Sequence, residues 1–163
     1  MTTTTKLWRI IDLINWGTDH FTGKGVENSR REMEWFLCDV LDCERIDLYV
    51  RFEEIMDEKE LEGFRSMVKR RICGEPFQHI IGKASFYGRD FIVNKNVLIP
   101  RPETEILIET LLYMNKATSA GLPTNLLEIG TGAGIIAVVA ALEIPNCRIT
   151  ATDCFPEVLV VAR

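Results

Sequence analysis

The sequence contains few of the residues that build metal centres. It has only two histidines, His20 and His79, and its five cysteines form no C-x-x-C pair. Protein zinc sites usually combine such pairs with histidines at short spacing, so we expect no metal site. An odd number of irregularly spaced cysteines favours reduced thiols, and with them a cytoplasmic location.

Long apolar runs and a surplus of positive charge are also absent. The longest wholly apolar run, 135–142, is too short to span a bilayer. The first letters, MTTTTKLWRII, contain no basic stretch followed by a long apolar core, so no signal peptide is expected. A net charge of -5 argues against a general nucleic-acid-binding surface. We therefore expect neither a membrane nor a direct nucleic-acid partner.

The first part of the chain does contain helical periodicity. Helices are predicted for four segments, which are 6–16, 27–41, 45–51 and 57–73. The glycines of 17–25 predict a loop between the first two helices. The fourth segment begins acidic and ends basic, and Gly74 and Pro76 stop it. Residues 1–75 are therefore predicted to form a small all-α domain.

The period of the pattern then changes from helix to strand. Two runs rich in aromatic and β-branched residues flank Gly88-Arg89-Asp90 within 84–94, which predicts a β-hairpin in a connecting segment, 76–97. A helix over 103–115 and a loop over 118–125 are expected next.

The last part of the chain alternates strand and helix. The predicted order is a strand at 125–129, a glycine turn, a helix at 133–143, a strand at 148–152 and a helix from 156. Such a β-α-β unit requires a parallel sheet. The fold class is therefore α/β, with an all-α domain, a connecting hairpin and a β-α-β domain over 98–163.

The glycine turn, EIGTGAG, follows one predicted strand and opens a helix. Gly130, Gly132 and Gly134 allow the backbone to turn sharply and a ligand to approach closely. Asp153 ends the next strand, where a carboxylate can accept both ribose hydroxyls of a nucleoside. Alternatively, the glycines only pack helix against strand, and Asp153 only caps the following helix.

The glycine spacing distinguishes between nucleoside cofactors. Ile135 stands where a nicotinamide fingerprint has its last glycine, which disfavours an oxidoreductase. The G-x-G-x-G spacing, with Glu128 two residues earlier, resembles the first motif of class I S-adenosylmethionine-dependent methyltransferases. The resemblance implies that this cofactor lies along Gly130, Thr131, Gly132, Ala133 and Gly134, with Asp153 at its ribose. Glu128 would lie near the cofactor's amino or sulfonium charge, or would be a solvated carboxylate at the strand end.

Three segments together resemble the HemK/PrmC family of release factor glutamine methyltransferases. They are RRICGEPFQHIIG (70–82), LIPRPETE (98–105) and LLEIGTGAG with the following ATDCFPEVLVVAR. The resemblance implies a substrate-recognition domain (1–75), a hairpin linker (76–97) and a partial Rossmann-like methyltransferase domain (98–163). It also implies that S-adenosylmethionine supplies a methyl group to the glutamine amide in the Gly-Gly-Gln motif of peptide-chain release factors.

The chain departs from the family pattern in three ways. It carries Glu128 where aspartate is frequent, which keeps a carboxylate, and Ala133 where threonine or serine is usual, which removes a hydroxyl. It also contains no N-P-P-Y motif, the family's holder of the substrate glutamine, so no residue here is predicted to be catalytic. We expect an amino-terminal fragment that is inactive, marginally stable and prone to aggregate.

Alternative functions remain open from the sequence. A family relative that methylates a ribosomal protein would carry the same motifs, and a non-catalytic truncated binding module would keep only the helical domain. The basic stretch Lys69-Arg70-Arg71 either contacts an acidic partner or is a solvated helix end.

The LIPRPETE segment places one cation between two prolines. Pro102 suits the first turn of a helix, and Pro100 and Pro102 restrict the residues before them to extended backbone. A helix start explains Pro102 but leaves Arg101 unexplained. We interpret Arg101 as held rigidly toward the cofactor and substrate pocket, or paired with a carboxylate that lines it.

Overall fold

The computed structural model describes residues 7–118 and 124–163 and divides into two units. The named elements of the first unit are all helices. The first unit ends at Ile81 and the second begins at Gly82. The helices of the first unit are α1 Ile10–Thr22, α2 Ser29–Leu41, α3 Arg45–Val50, α4 Glu58–Ile72 and α5 Phe77–Ile81. The division of the chain into a helical domain, a linker and a methyltransferase domain after residues 75 and 97 stays a prediction.

The predicted loop at 17–25 is wrong for residues 17–22, because α1 continues through Gly17 to Thr22, and residues 23–25 form a turn. Gly17 serves close helix packing instead of a turn. A Cβ added at Gly17 would lie 2.2 Å from the sulfur of Met33 on α2, so only glycine lets the two helices approach this closely. The turn follows later, around Gly25, whose φ is +74°.

An aromatic core stabilises the helical unit. Phe21, Phe36 and Phe64, from three different helices, are completely buried. The rings of Phe21 and Phe36 meet edge to face, with centroids 6.3 Å apart, a favoured aromatic geometry.

The stretch Lys69-Arg70-Arg71 is not a free basic patch. Arg70 forms a bidentate ion pair with Glu75, at 2.8 and 2.5 Å. Arg71 forms another with Glu32 of α2, at 2.7 and 3.2 Å. Two of the three cations are thus paired inside the unit, while the stretch forms the last turn of α4 with Lys69 and Arg70 exposed. This agrees with the interpretation as a solvated helix end, and contact with an acidic partner stays a prediction.

The second unit combines a hairpin with the β-α-β unit. Its elements are β1 Lys83–Phe86, β2 Arg89–Ile92, a 3-10 turn Pro102–Thr104, α6 Glu105–Thr118, β3 Thr124–Ile129, α7 Ile135–Glu143, β4 Cys147–Thr152 and α8 Pro156–Val161. Strands β1 and β2 are antiparallel, and β3 and β4 are parallel. The predicted α/β class with a parallel sheet is confirmed. The predicted loop over 118–125 lies partly outside the described residues.

The hairpin belongs to the core of the second unit. Ala84, Phe86 and Val93 are buried together with Ile108 of α6 and Val139 of α7. Its turn consists of Tyr87 and Gly88, whose φ angles of +51° and +69° match the twist of the flanking strands.

No helix within the described ranges, 7–118 and 124–163, is long and apolar enough to cross a membrane.

Candidate cofactor site

The parallel pairing of β3 and β4 brings their carboxyl ends side by side. Ile129, the last residue of β3, pairs with Thr152, the last residue of β4. The carbonyl oxygen of Thr152 then accepts the N–H groups of Gly130 at 2.8 Å and Thr131 at 2.9 Å. The glycine turn is therefore fixed to the end of β4 before α7 begins.

The three glycines of the turn share one backbone requirement, and Gly134 has a second one. Each has a positive φ, +79° at Gly130, +58° at Gly132 and +77° at Gly134, which other residues adopt only with strain. A Cβ added at Gly134 would lie 3.2 to 3.4 Å from atoms of Ala162, so this glycine also permits close packing near the end of α8. A Cβ at Gly130 or Gly132 would meet nothing within 4 Å. The turn thus presents open space at two of its glycines.

Glu128 is buried at the end of β3 and is not solvated. It is 9% exposed, and its Oε2 accepts the hydroxyl proton of Thr131 at 2.7 Å. Burial raises the pKa of the Glu128 carboxyl, and the hydrogen bonds from Thr131 and from the backbone of Ala137 only partly offset this. The solvated alternative for Glu128 is therefore wrong.

Asp153 follows β4 and holds the glycine turn directly. Its Oδ2 accepts the N–H of Gly132 at 3.1 Å, and its Oδ1 accepts the N–H of Phe155 at 3.2 Å. These backbone donors lower the pKa of the Asp153 carboxyl, with the largest effect from Gly132, so the carboxyl stays ionised. The bond to Phe155 closes a turn before α8 and is not a helix cap, because Phe155 is itself the N-cap of α8 and no side chain caps that helix. The capping alternative for Asp153 is therefore wrong, and the Gly132 bond was not predicted. A carboxylate has about four lone-pair sites, so acceptor capacity remains on Asp153.

Other residues of the predicted turn face inward. Thr131 and Ala133 are buried, and Ala133 packs in the second core. A ligand at the turn would therefore meet the backbone at these positions. No group of three or more His, Cys, Asp or Glu side chains among the described residues could hold a metal ion.

The segment of Pro100, Arg101 and Pro102 has the extended backbone predicted for it. Arg101 has φ -98° and ψ 145°, and its carbonyl accepts the N–H of Thr104 at 3.0 Å in the following 3-10 turn. The side chain of Arg101 is exposed and forms no ion pair with any residue in 7–118 or 124–163. Its presentation to the pocket stays a prediction.

Sequence reasoning missed a contact of the same segment with the hairpin. Oε1 of Glu105 accepts the N–H of Tyr87 at 2.7 Å, and so satisfies the backbone at the hairpin turn. Arg89 of the hairpin also pairs with Glu143 at the end of α7, at 2.7 Å. Neither pair could be found from spacing, since the partners are 18 and 54 positions apart.

The chain is similar to one domain model and to several methyltransferases. Residues 12–82 match the model of the PrmC N-terminal domain. The chain is 39% identical to a release factor glutamine methyltransferase of Chlorobaculum tepidum, an alignment that covers 97% of this chain and 54% of the relative. It is 36% identical to a release factor glutamine methyltransferase of Geobacter sulfurreducens, an alignment that covers 100% of this chain and 56% of the relative.

A bifunctional methyltransferase of Rickettsia felis is also similar. It is 32% identical over 96% of this chain and 34% of its own length. The chain thus spans about half the length of the release factor glutamine methyltransferases that it matches, and less of the bifunctional protein.

Proposed function

We propose that this chain serves S-adenosylmethionine-dependent methylation of a release factor glutamine. Residues 12–82 match the model of the PrmC N-terminal domain, and the chain is similar to about half the length of release factor glutamine methyltransferases. The acceptor would be the side-chain amide of the Gly-Gly-Gln motif. The chain would contribute a helical substrate-recognition domain and a first β-α-β unit that binds part of the cofactor.

The observation that carries this proposal is the bond between Asp153 and Gly132. It fixes a carboxylate beside a glycine turn with open space at Gly130 and Gly132. A carboxylate at the end of the second strand suits vicinal ribose hydroxyls, and backbone without Cβ atoms suits a closely packed ligand. The chemistry of these groups fits a nucleoside cofactor.

Each site residue then has a defined task. Asp153, whose pKa is lowered, would accept hydrogen bonds from the ribose at any physiological pH. Glu128 would provide a negative charge near the amino or sulfonium group, and Thr131 orients its carboxylate. Bound S-adenosylmethionine would supply an electrophilic methyl group.

None of the described residues is assigned a catalytic role. An amide nitrogen is a poor nucleophile because its lone pair is delocalised, so methylation depends on groups that hold and orient the glutamine. The N-P-P-Y motif expected to do this is absent from the chain. The proposed task of the glycine turn is therefore to position the methyl donor.

Saturation-transfer difference NMR tests the proposed cofactor site, because it detects weak binding to a partial site. We expect S-adenosylhomocysteine to show saturation at its ribose and adenine protons, and Asp153→Ala to abolish it. NAD should give a weaker signal. Asp90→Ala, in the hairpin, is the matched control.

Two results would contradict the proposal. One is an unchanged ribose signal in Asp153→Ala, and the other is a stronger signal from NAD than from S-adenosylhomocysteine. Micromolar affinity in a calorimetric titration with S-adenosylmethionine would support the cofactor and contradict only the statement that this chain binds part of it.

A further inference from the structure

A positively charged groove lies on the helical unit, which does not include the glycine turn. It consists of two cavities of about 460 and 530 Å³, which share Asn28 and Arg31. We call it the Arg31 groove. Other lining residues include Thr18, Thr22, Arg30 and Arg45 in one cavity and Trp35, Arg71 and Phe77 in the other.

The guanidinium group of Arg31 is presented without a counter-charge. Its Cζ lies over the ring of Trp35, 4.6 Å from the ring centroid, in a cation–π contact that holds the guanidinium group in place. Within residues 7–118 and 124–163, no carboxylate forms an ion pair with Arg31. Its N–H donors therefore remain for an external acceptor.

Two further arginines are held in place by one buried carboxylate. Glu34 is 0% exposed and accepts from Arg30 at 3.0 Å, Arg45 at 2.5 Å and Tyr49 at 2.6 Å. Burial raises the pKa of Glu34, but the hydrogen bonds from Tyr49 and Arg45 outweigh it, so the carboxyl stays ionised. Each arginine binds Glu34 through Nε, and a guanidinium has five N–H groups.

The charge of the groove is positive in a chain whose net charge is -5. Four arginines line it: Arg30, Arg31, Arg45 and Arg71. Their ion pairs use two carboxylates, since Glu34 pairs with Arg30 and Arg45 and Glu32 pairs with Arg71. Two positive charges are therefore left over. Asn28 is the N-cap residue of α2 and its side chain makes no capping bond, so the positive end of the helix dipole adds to this potential.

The second cavity adds an aromatic wall to the charge. Trp35 packs against Phe77 with ring centroids 5.1 Å apart, and the indole remains 37% exposed. A partly exposed indole beside the unpaired guanidinium group of Arg31 is typical of surfaces that bind proteins. A negative overall charge argues against a nucleic acid as the ligand.

We propose that the Arg31 groove binds an acidic segment of a protein partner, with carboxylates at Arg30, Arg31 and Arg45 and an apolar side chain on Trp35. The groove itself is inferred from the helical unit alone. Only the statement that the partner is the protein substrate rests on the proposed function. The groove places recognition on the helical unit, independent of the cofactor turn.

Fluorescence anisotropy tests the groove in the intact chain. The probe is a fluorescein-labelled peptide of alternating glutamate and leucine, compared with the same peptide carrying glutamine for glutamate and with a polyadenylate oligonucleotide. We expect the glutamate peptide to bind, and Arg31→Ala to weaken it about tenfold. Arg31→Lys should fall between the two, because it keeps the charge and loses the planar fork.

Arg65→Ala is the matched control. Arg65 is an exposed arginine paired with the exposed Glu58 at 2.7 Å, and its loss should change the peptide affinity by less than about twofold. Equal effects of Arg31→Ala and Arg65→Ala would overturn the proposal. So would equal binding of the glutamine peptide, tighter binding of polyadenylate, or no binding of any probe.

The S-adenosylhomocysteine signal separates this inference from the proposed function. We expect Arg31→Ala to lose the peptide and keep the ribose saturation signal, since the mutation lies on the helical unit. Peptide binding without any ribose signal would refute the proposed function and leave the groove standing. A ribose signal without peptide binding would refute the groove alone.

Discussion

Thr131 donates its hydroxyl proton to the buried carboxylate of Glu128 at 2.7 Å. The two residues lie on opposite sides of Gly130, where the chain leaves β3 and enters the glycine turn. The bond closes the first part of the turn, while Thr152 and Asp153 hold it from β4. The glycine turn is therefore fixed by hydrogen bonds from the ends of both strands.

The bond between Thr131 and Glu128 should contribute to stability. Thr131→Val keeps the shape of the side chain and removes the donor, so Glu128 is left buried with less compensation. We expect a loss of about 1–3 kcal/mol in the free energy of unfolding, measured with urea near neutral pH. Thr110→Val, at an exposed site on α6, should change it by less than about 0.5 kcal/mol, and an equal loss would contradict this account.

Removing the charge of Glu128 should stabilise the chain in a pH-dependent way. Because the folded pKa of Glu128 is raised, the folded state binds a proton more readily than the unfolded state. Stability therefore falls as pH rises from the ordinary carboxyl pKa through the folded pKa. Glu128→Gln avoids this loss and should gain about 0.5–1 kcal/mol near neutral pH, with no gain below the ordinary carboxyl pKa.

Urea titrations across pH check the Glu128→Gln prediction. Glu143→Gln, which removes a carboxylate at the end of α7, is the control and should lower stability by breaking its pair with Arg89. A stability gain that does not depend on pH would show that burial of the Glu128 charge is not its cause.

The glycines of the turn should differ in how much alanine costs. Gly132→Ala introduces only the strain of a positive φ, about 1–2 kcal/mol, because a Cβ there meets open space. Gly134→Ala carries similar strain and also forces a Cβ against the backbone of Ala162. We expect Gly134→Ala to be less stable than Gly132→Ala by about 1 kcal/mol or more in urea unfolding. The reverse order would contradict these assignments.

The fold was more predictable than the contacts that hold the site. Helical periodicity and the switch to β-branched runs predicted the α/β class, because they report which face of an element is buried. The same reasoning failed at Gly17, since a glycine that permits close packing looks identical in sequence to one that makes a turn. Only the position of Met33 in three dimensions distinguishes them.

The candidate site shows the same limit. Residue types at the ends of two strands predicted Asp153 and the glycines, because parallel strands end at one edge. Sequence could not predict that Asp153 binds the N–H of Gly132, or that Glu128 is buried. Both depend on the register between β3 and β4, which places Ile129 opposite Thr152.

Glu105 should stabilise the hairpin, whereas its neighbour Glu103 should not. Glu105 accepts the N–H of Tyr87 at 2.7 Å, while the exposed Glu103 lies in the 3-10 turn. Glu105→Ala should lower the free energy of unfolding by about 1–3 kcal/mol, because a partly buried N–H loses its acceptor. Glu103→Ala is the control, with an expected change below about 0.5 kcal/mol. Amide hydrogen exchange at Tyr87 should become faster only in Glu105→Ala, and faster exchange in both would contradict this role.

The sheet of the second unit should drive self-association. Within the described ranges the parallel sheet has only β3 and β4, and Leu127 and Ile129 of β3 are 62% and 82% exposed on one face. Exposed apolar side chains beside an unpaired strand edge favour pairing with another chain. We expect the sedimentation coefficient to rise with concentration, and Leu127→Lys with Ile129→Lys to suppress the rise. Leu7→Lys, on another exposed leucine outside the sheet, should leave the rise unchanged, and equal suppression by it would show that the sheet is not the associating surface.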